Sequence, residues 1–143
     1  MTAIEPNENQ LATLMAAAAD LDTPVVMINL LQFKPDGVAN YQRYAKEAMP
    51  FLEAVGATIE YAGEASHVVA GDIDRPFWDA IVVVRHPSRA AFVSMVTNPG
   101  YHENAHVHRA AALQSTHLVA TTPGCKSDRK AARRALATSP TGS

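Results

Sequence analysis

The sequence predicts an α+β fold in which helices cover one face of a four-stranded antiparallel sheet. Two observations predict it. First, helix-like and strand-like segments follow one another in the order helix, then β-α-β-β-α-β, which is the split βαβ pattern. Second, the segments 25–33 and 77–85 are apolar at nearly every position, which is typical of strands inside a sheet. Since crossovers are right-handed, both connecting helices belong on the same face of the sheet.

The first half of the chain is read as a helix, a strand and a second helix. Residues 9–21 carry apolar side chains at helical spacing, and the strand 25–33 follows, ended by the turn signal Pro35-Asp36-Gly37. The second helix ends at Gly56, a C-cap residue. Its apolar stripe consists of Tyr41, Tyr44, Ala45, Ala48, Leu52 and Val55. Because proline removes a backbone donor, we expect a kink or a break at Pro50, with the last turn restarting at Phe51.

The second half is read as two strands, two helical segments and a last strand. Residues 58–70 form a long strand with a bulge or bend at 63–66, where Gly63 lies. The third strand is 77–85, and Ser88 caps the helix after it. Asn98-Pro99 ends that helix and starts a new one, which runs to about residue 113. A short strand over residues 116–121 completes the order of a ferredoxin-like sandwich.

Composition limits the class of protein. A chain of 143 residues with 48% hydrophobic content and a net charge of −2 fits one globular domain. We expect an N-terminal helical extension at 1–23, the sandwich domain at 24–123 and a flexible basic tail at 124–143. Scattered basic residues argue against nucleic-acid binding. The lone Cys125, the absence of a signal-peptide pattern and the shortness of the apolar stretch 24–31 predict a cytoplasmic protein without a membrane segment.

The strands predict a partner subunit. They are apolar on both faces, whereas the helices cover only one of them. A second copy of the same sheet is the simplest cover for the other face. We therefore expect a homodimer whose two sheets close into a barrel.

Several short motifs point to a known family. They are Pro24 to Phe33 (PVVMINLLQF), Tyr41-x-x-Tyr44-Ala45, Tyr61-Ala62-Gly63-Glu64, Trp78-Asp79, Pro87-Ser88-Arg89-x-x-Phe92, Asn98-Pro99-x-Tyr101 and His108-Arg109-x-x-Ala112-Leu113. Together they resemble the DUF1330 family over roughly residues 4–122, in a subgroup with an extra helix before the first strand. The resemblance implies the dimeric α+β barrel superfamily, alongside antibiotic-biosynthesis monooxygenases, muconolactone isomerases and haem-handling relatives. It implies no reaction, because the family name itself records an unknown function.

Two polar residues interrupt predicted strands. Asn29 lies in a central strand, and its amide needs hydrogen-bond partners there. Either it anchors a neighbouring segment or it faces a cavity and binds a ligand. Asp79 lies in the third predicted strand, where desolvation would raise the pKa of its carboxyl and suit it to act as a catalytic base. An ion pair with Arg85 or Arg109 is the alternative, and we favour it.

The last predicted helix carries a cluster of histidines. His102, His106 and Arg109 are spaced i, i+4, i+7 and share one face, so His106 is a candidate for proton transfer. Two histidines at i, i+4 can bind a divalent metal, but a site needs a third ligand. Glu103 and His117 are no more than possible contributors of that ligand, and no HExxH pattern is present, so we predict neither metal nor cofactor.

The remaining candidates are histidines on strands, aromatic residues and one arginine. His67 and His117 lie on predicted strands and could reach a cavity, although a structural role is more common for such residues. Tyr61 and Trp78 are predicted to line a ligand pocket. Tyr41 and Tyr44 could do the same, but we favour the alternative that they pack the first crossover helix on the sheet. Arg109 could bind a ligand carboxylate in a bidentate way, or it could pair with Asp79 or Glu64.

These residues support three hypotheses about function. In the first, a cofactor-independent enzyme, monooxygenase-like or isomerase-like, acts on a small apolar oxygen-bearing molecule. Asn29 and Arg109 would orient that molecule, and Asp79 or His106 would move a proton. The second hypothesis is a non-catalytic dimeric module that binds a small ligand. The third is haem or metal handling through His102 and His106.

Overall fold

The structure is a computed structural model that describes residues 4–16 and 23–123. Its helices and strands follow the predicted order. The helices are α1 (Glu8–Ala16), α2 (Gly37–Ala54), α3 (Arg89–Val96), α4 (Pro99–Tyr101) and α5 (Val107–Ala112), and a π-helical turn (His102–His106) joins α4 to α5. The strands are β1 (Val25–Phe33), β2 (Thr58–Glu64), β3 (Ala80–His86) and β4 (Leu113–Thr121). Residues 17–21 of the predicted first helix and the predicted basic tail, with Cys125, lie outside the described residues.

The four strands form one antiparallel sheet in the order β2-β3-β1-β4. The two most apolar strands, β1 and β3, therefore lie inside the sheet, as their composition predicted. The order and the antiparallel pairing confirm the ferredoxin-like α+β fold. Over residues 4–16 and 23–123, none of the helices combines the length and the apolar character that a membrane span needs.

Some strand boundaries differ from the predicted ones, because a strand ends where its pairing with a neighbouring strand ends. β2 stops at Glu64, not at residue 70, because Glu64 pairs with Ala80, the first residue of β3. The bulge in β2 lies between Ile59 and Tyr61, earlier than the glycine at 63 indicated. β3 starts three residues later than predicted, at Ala80, whereas β4 starts three residues earlier, at Leu113.

The helix α2 continues through Pro50 without a break, so the predicted restart at Phe51 is wrong. Proline leaves the carbonyl of the residue four positions earlier without its donor. That residue, Lys46, is exposed, as is Pro50. Water can therefore satisfy the freed carbonyl, and the helix is not interrupted there.

Side chains cap α3 and α4 at the positions that the sequence predicted, and a side-chain cap also starts α1. Ser88 Oγ accepts a hydrogen bond from the backbone N–H of Ala91 at 3.0 Å, and Asn98 Oδ1 accepts one from Gly100 at 2.8 Å. At the start of α1, Asn7 and Gln10 bond each other's backbone N–H groups reciprocally, at 2.9 and 2.8 Å. Such caps satisfy donors that the first turn of a helix cannot pair internally.

The two faces of the sheet have different surroundings. On the helix-covered face, Val25, Met27 and Leu31 of β1 are buried, and Val25 and Met27 pack with Phe92 of α3 and with two leucines of α1, Leu11 and Leu14. The opposite face is called the open face here. It carries side chains that alternate with the buried ones and are only partly buried or exposed: Ile28, Leu30, Tyr61, Ile81, Val83 and Val119. An apolar open face is what the sequence predicted.

Candidate functional site

A cavity of about 230 Å³ lies between the helix-covered face of the sheet, helix α2, the π-helical turn and the N-terminal segment. Its walls are mainly apolar and include Met27, Leu52, Val84, Phe92 and Met95. Ligand sites for drug-sized molecules occupy roughly 300–1,000 Å³ and combine apolar walls with a few polar groups. This cavity is suited to a smaller molecule.

Arg109 supplies a positive charge at one end of the cavity. The residue is only 5% exposed. Its Nη1 donates a hydrogen bond to the carbonyl of Ile4 at 2.6 Å, and its Nη2 donates to Thr116 Oγ1 at 3.4 Å and to Asn29 Oδ1 at 3.5 Å. All three acceptors are neutral. Neither Asp79 nor Glu64 pairs with Arg109, and no other carboxylate of the described residues forms an ion pair with it.

Asn29 both anchors the sheet and faces the cavity. Its Nδ2 donates to the carbonyl of Val82, its register partner on β3, at 3.2 Å. Its Oδ1 accepts from Arg109, and the side chain lines the cavity. Asn29 therefore makes a structural hydrogen bond and also faces the cavity, and its binding of a ligand stays a prediction.

Three tyrosines line the cavity beside Arg109. The hydroxyls of Tyr44 and Tyr101 lie 2.9 Å apart, within hydrogen-bond distance, and the ring of Tyr41 contacts that of Tyr44. Burial raises the pKa of Tyr101 and of Tyr41, an effect that the Arg109 guanidinium opposes. The phenols of Tyr41 and Tyr101 therefore stay neutral, and they can donate or accept hydrogen bonds.

His106 forms a pair with Glu5 at the same end of the cavity. The His106 Nε2 atom lies 3.2 Å from Glu5 Oε2, and His102 Nδ1 lies 3.8 Å from the same oxygen. Burial lowers the pKa of His106, with Arg109 and His102 acting in the same sense and Glu5 opposing them. His106 is therefore a neutral base at pH 7. The cavity is lined by all three residues that were predicted to share one face of the last helix, His102, His106 and Arg109. The predicted common face is therefore confirmed.

Glu5, His102 and His106 are also the residues that could hold a metal ion. One ligand atom from each lies within 4.8 Å of the others. Two imidazoles and a carboxylate suit a divalent transition metal. Neither Glu103 nor His117, the candidates for a third ligand from the sequence, joins this group. The distance between Glu5 and His106 is that of a hydrogen bond.

Asp79 lies outside the cavity. It is exposed, and its Oδ2 accepts a hydrogen bond from the backbone N–H of Phe33 at 2.8 Å. The predicted ion pair with Arg85 or Arg109 is wrong, since neither arginine forms one with it. The reason is register: Ala80 pairs with Leu31, so the residue before Ala80 comes beside the end of β1.

Tyr61 and Trp78 also lie away from the cavity. Tyr61 is 57% exposed and pairs with Val83 on the open face. The Trp78 ring packs 5.0 Å from the ring of His117, whose register partner on the open face is Leu30. A shift of one residue moves a side chain to the other face of a sheet, and the bulge in β2 produces such a shift. Like these two aromatic residues, His67 and His117 are not among the residues that line the cavity.

Glu5, Tyr101 and His86 line the cavity but were not among the candidate site residues taken from the sequence. His86 ends β3, is only 2% exposed and lines the cavity. Within the described part of the chain, its Nδ1 atom has no hydrogen-bond partner. Burial lowers the pKa of His86 to about 4. Its position two residues after Val84 on the same strand face was a signal that could have found it.

Comparison with known proteins adds the family. The family model "Domain of unknown function (DUF1330)" matches residues 29–122. No curated protein matches the chain. A solved protein of unknown function from Rhodopseudomonas palustris is 28% identical, with a TM-score of 0.75, over 87% of this chain and 99% of that protein.

More distant structures share the fold. A putative antibiotic biosynthesis monooxygenase from Bacteroides thetaiotaomicron is 17% identical, with a TM-score of 0.51, over 73% of this chain and 93% of its own. A dabb family protein with a ferredoxin-like fold from Mesorhizobium loti is 12% identical, with a TM-score of 0.50, over 71% of this chain and 98% of its own. The family match covers most of the sandwich domain, and the chain belongs to the DUF1330 family of domains of unknown function.

Proposed function

We propose that the cavity binds a small, largely apolar molecule whose oxygen-bearing end lies against Arg109, and that His106 removes a proton from it. That end is a carboxylate or a carbonyl that becomes an enolate. The observation that carries the proposal is the buried Arg109, which lines the cavity and contacts only neutral acceptors among the described residues.

The charge of Arg109 favours an anionic ligand. Taking a guanidinium out of water is costly unless hydrogen bonds and an opposite charge compensate it. The carbonyl of Ile4, Asn29 Oδ1 and Thr116 Oγ1 supply hydrogen bonds but no negative charge. A carboxylate or enolate oxygen would complete the compensation and form strong, charge-assisted hydrogen bonds. Asn29 holds the guanidinium on the side of the sheet and so orients it.

The position of His106 suits it to move a proton. A neutral His106 that donates Nε2–H to Glu5 has Nδ1 free to accept a proton. His106 and Arg109 are one helical turn apart and line the same cavity. A C–H bond next to a carbonyl would break there, its proton would pass to His106, and its electron pair would form an enolate beside Arg109. The first step of an isomerisation has this form.

Binding is tested with octanoate by isothermal titration calorimetry. We expect Arg109→Gln to weaken octanoate binding at least tenfold, since the opposite charge is lost, and Arg109→Lys to weaken it less. Arg89→Lys is the matched control. Arg89 also donates to neutral oxygens, those of Leu14 and Thr122, but it lies outside the cavity. Equal affinity of the wild type and Arg109→Gln would contradict the proposal.

Catalysis is tested with 2-oxooctanoate in D₂O, where NMR follows exchange of the hydrogens next to the keto group. We expect the protein to accelerate this exchange and His106→Gln to reduce the acceleration about a hundredfold, the usual contribution of a general base. His108→Gln is the control, because His108 lies in the adjoining helix α5 but does not line the cavity. Binding that depends on Arg109 without any accelerated exchange would favour the alternative, a non-catalytic ligand-binding module.

A homodimer belongs to the same proposal. The open face of the sheet carries apolar side chains that the helices do not cover, among them Val119, which is 46% exposed. A second copy packed sheet to sheet would bury them. Light scattering at micromolar concentration should give twice the chain mass of 15.3 kDa, and Val119→Lys should favour the monomer. A monomeric wild type would contradict this part of the proposal.

A further inference from the structure

His86 is a polar group at the opposite end of the cavity from Arg109. The residue is 2% exposed, its ring meets that of Phe92 edge to face at 5.1 Å, and it lines the cavity. Its Nδ1 atom is the one buried side-chain nitrogen or oxygen of residues 4–16 and 23–123 without a hydrogen-bond partner. Buried polar atoms are rarely left unpaired, and an exception needs an explanation.

The sheet register gives the separation of the two ends. His86 pairs with Val25, whereas Val82 pairs with Asn29, which contacts Arg109. His86 and Val82 are four residues apart on one strand, which corresponds to about 13 Å at 3.3 Å per residue. The cavity wall between them is formed by apolar side chains such as Met27 and Val84. The cavity therefore has two polar ends and an apolar middle.

We propose that His86 Nδ1 forms a hydrogen bond with a hydroxyl or carbonyl oxygen at the far end of the bound molecule. The ligand class is then an apolar chain or ring that carries an anionic oxygen group at one end and a neutral oxygen group at the other. The neutral oxygen group is inferred from His86, whereas the anionic group rests on the proposed function.

The surroundings of His86 favour a neutral partner. Burial lowers its pKa to about 4, so the imidazole is uncharged at pH 7 and carries one N–H donor and one acceptor nitrogen. A hydroxyl can donate to the acceptor nitrogen or accept from the N–H, whereas a carbonyl can only accept from the N–H. An anion would instead favour a protonated imidazole, which this apolar end disfavours.

Three eight-carbon probes separate the two ends of the cavity. Octanoate carries the anionic group alone, 1-octanol the hydroxyl alone and 8-hydroxyoctanoate both. An extended eight-carbon chain spans about 10 Å, given C–C bonds of about 1.5 Å, and the side chains cover the rest. Affinities are measured by calorimetry for the wild type, His86→Phe, His86→Gln and Arg109→Gln.

We expect the wild type to bind 8-hydroxyoctanoate about tenfold tighter than octanoate, because the hydroxyl pairs with an otherwise unpaired atom. His86→Phe should abolish this preference while octanoate affinity stays within about threefold of the wild type. His86→Gln, which keeps a hydrogen-bonding group, should retain part of the preference and also serves if His86→Phe does not fold. A wild type that binds the two acids equally would overturn the role of His86.

The same measurements distinguish failure of the two proposals. If 1-octanol binds the wild type but not His86→Phe, and octanoate does not bind, the His86 contact stands and the anionic site at Arg109 fails. If octanoate binding requires Arg109 but the hydroxyl adds nothing, the anionic site at Arg109 stands and the His86 contact fails. Absence of binding by all three probes at millimolar concentration would overturn both.

Discussion

The His86→Phe substitution should change how the stability of the protein depends on pH. Burial lowers the pKa of His86 from 6.5 to about 4. Between these values the unfolded chain binds a proton that the folded chain does not, so the free energy of unfolding falls as the pH falls. The contribution is fully present above pH 6.5 and is lost towards pH 4. The full contribution is about 3 kcal/mol, at 1.36 kcal/mol per pKa unit, and about 2 kcal/mol of it is lost by pH 5.

Urea unfolding followed by far-ultraviolet circular dichroism at pH 7, 6, 5 and 4.5 measures the effect. The free-energy difference between the wild type and His86→Phe is compared across pH, so that the carboxylates common to both proteins cancel. As the pH falls from 7 to 5, we expect the wild type to lose about 2 kcal/mol of unfolding free energy relative to His86→Phe. The exposed His67 gives the matched control, His67→Gln. A difference that stays constant within about 0.5 kcal/mol, or an equal shift in the control, would refute the reasoning.

Three further outcomes test the site and its frame. Asp79→Asn should lower stability by about 1 kcal/mol, since the Phe33 N–H loses a charged acceptor, and should leave octanoate affinity unchanged; a loss of affinity would return Asp79 to the binding site. Gly37→Ala should cost roughly 1–3 kcal/mol in urea unfolding, because an added Cβ would collide with the backbone carbonyl of Ala112, whereas Ala39→Ser on the exposed side of α2 is a mild control. If Glu5 orients His106 as a hydrogen-bond partner, EDTA treatment should leave the exchange of 2-oxooctanoate unchanged, and its loss on EDTA with recovery on Zn²⁺ would instead favour a metal site.

Local patterns were sufficient to predict the order of the elements. Strand β1 was predicted with its observed bounds because its apolar run ends at a turn signal, Pro35-Asp36-Gly37. The caps Ser88 and Asn98 were predicted because a side chain that bonds the first turn of a helix acts over two or three residues. Such local interactions can be inferred from the sequence, since neither depends on the remainder of the fold.

The site could be predicted only where its geometry was local. Helical spacing brought His102, His106 and Arg109 to one face, as observed. Tyr61 was predicted to line the pocket but does not line the cavity, because a bulge between Ile59 and Tyr61 changes the face of the sheet on which its side chain lies. Asp79 was predicted to lie within the third strand, but it lies just outside β3, where strand alternation no longer applies. These failures come from irregular backbone, which hydrophobic periodicity does not specify.

The N-terminal segment connects the fold to the proposed chemistry. The carbonyl of Ile4 accepts from Arg109, Glu5 contacts both histidines, and Leu11 of α1 lines the cavity. Ile4, Glu5 and Leu11 lie outside residues 29–122, which match the family model, whereas Asn29 and Arg109 lie within them. The proposed anion-binding pair, Asn29 and Arg109, therefore lies within the family-matched residues, and Glu5, which lies 3.2 Å from His106, comes from the segment before them. It follows that the preceding segment is part of the candidate site, because its Ile4 carbonyl accepts from Arg109 and its Glu5 contacts His106.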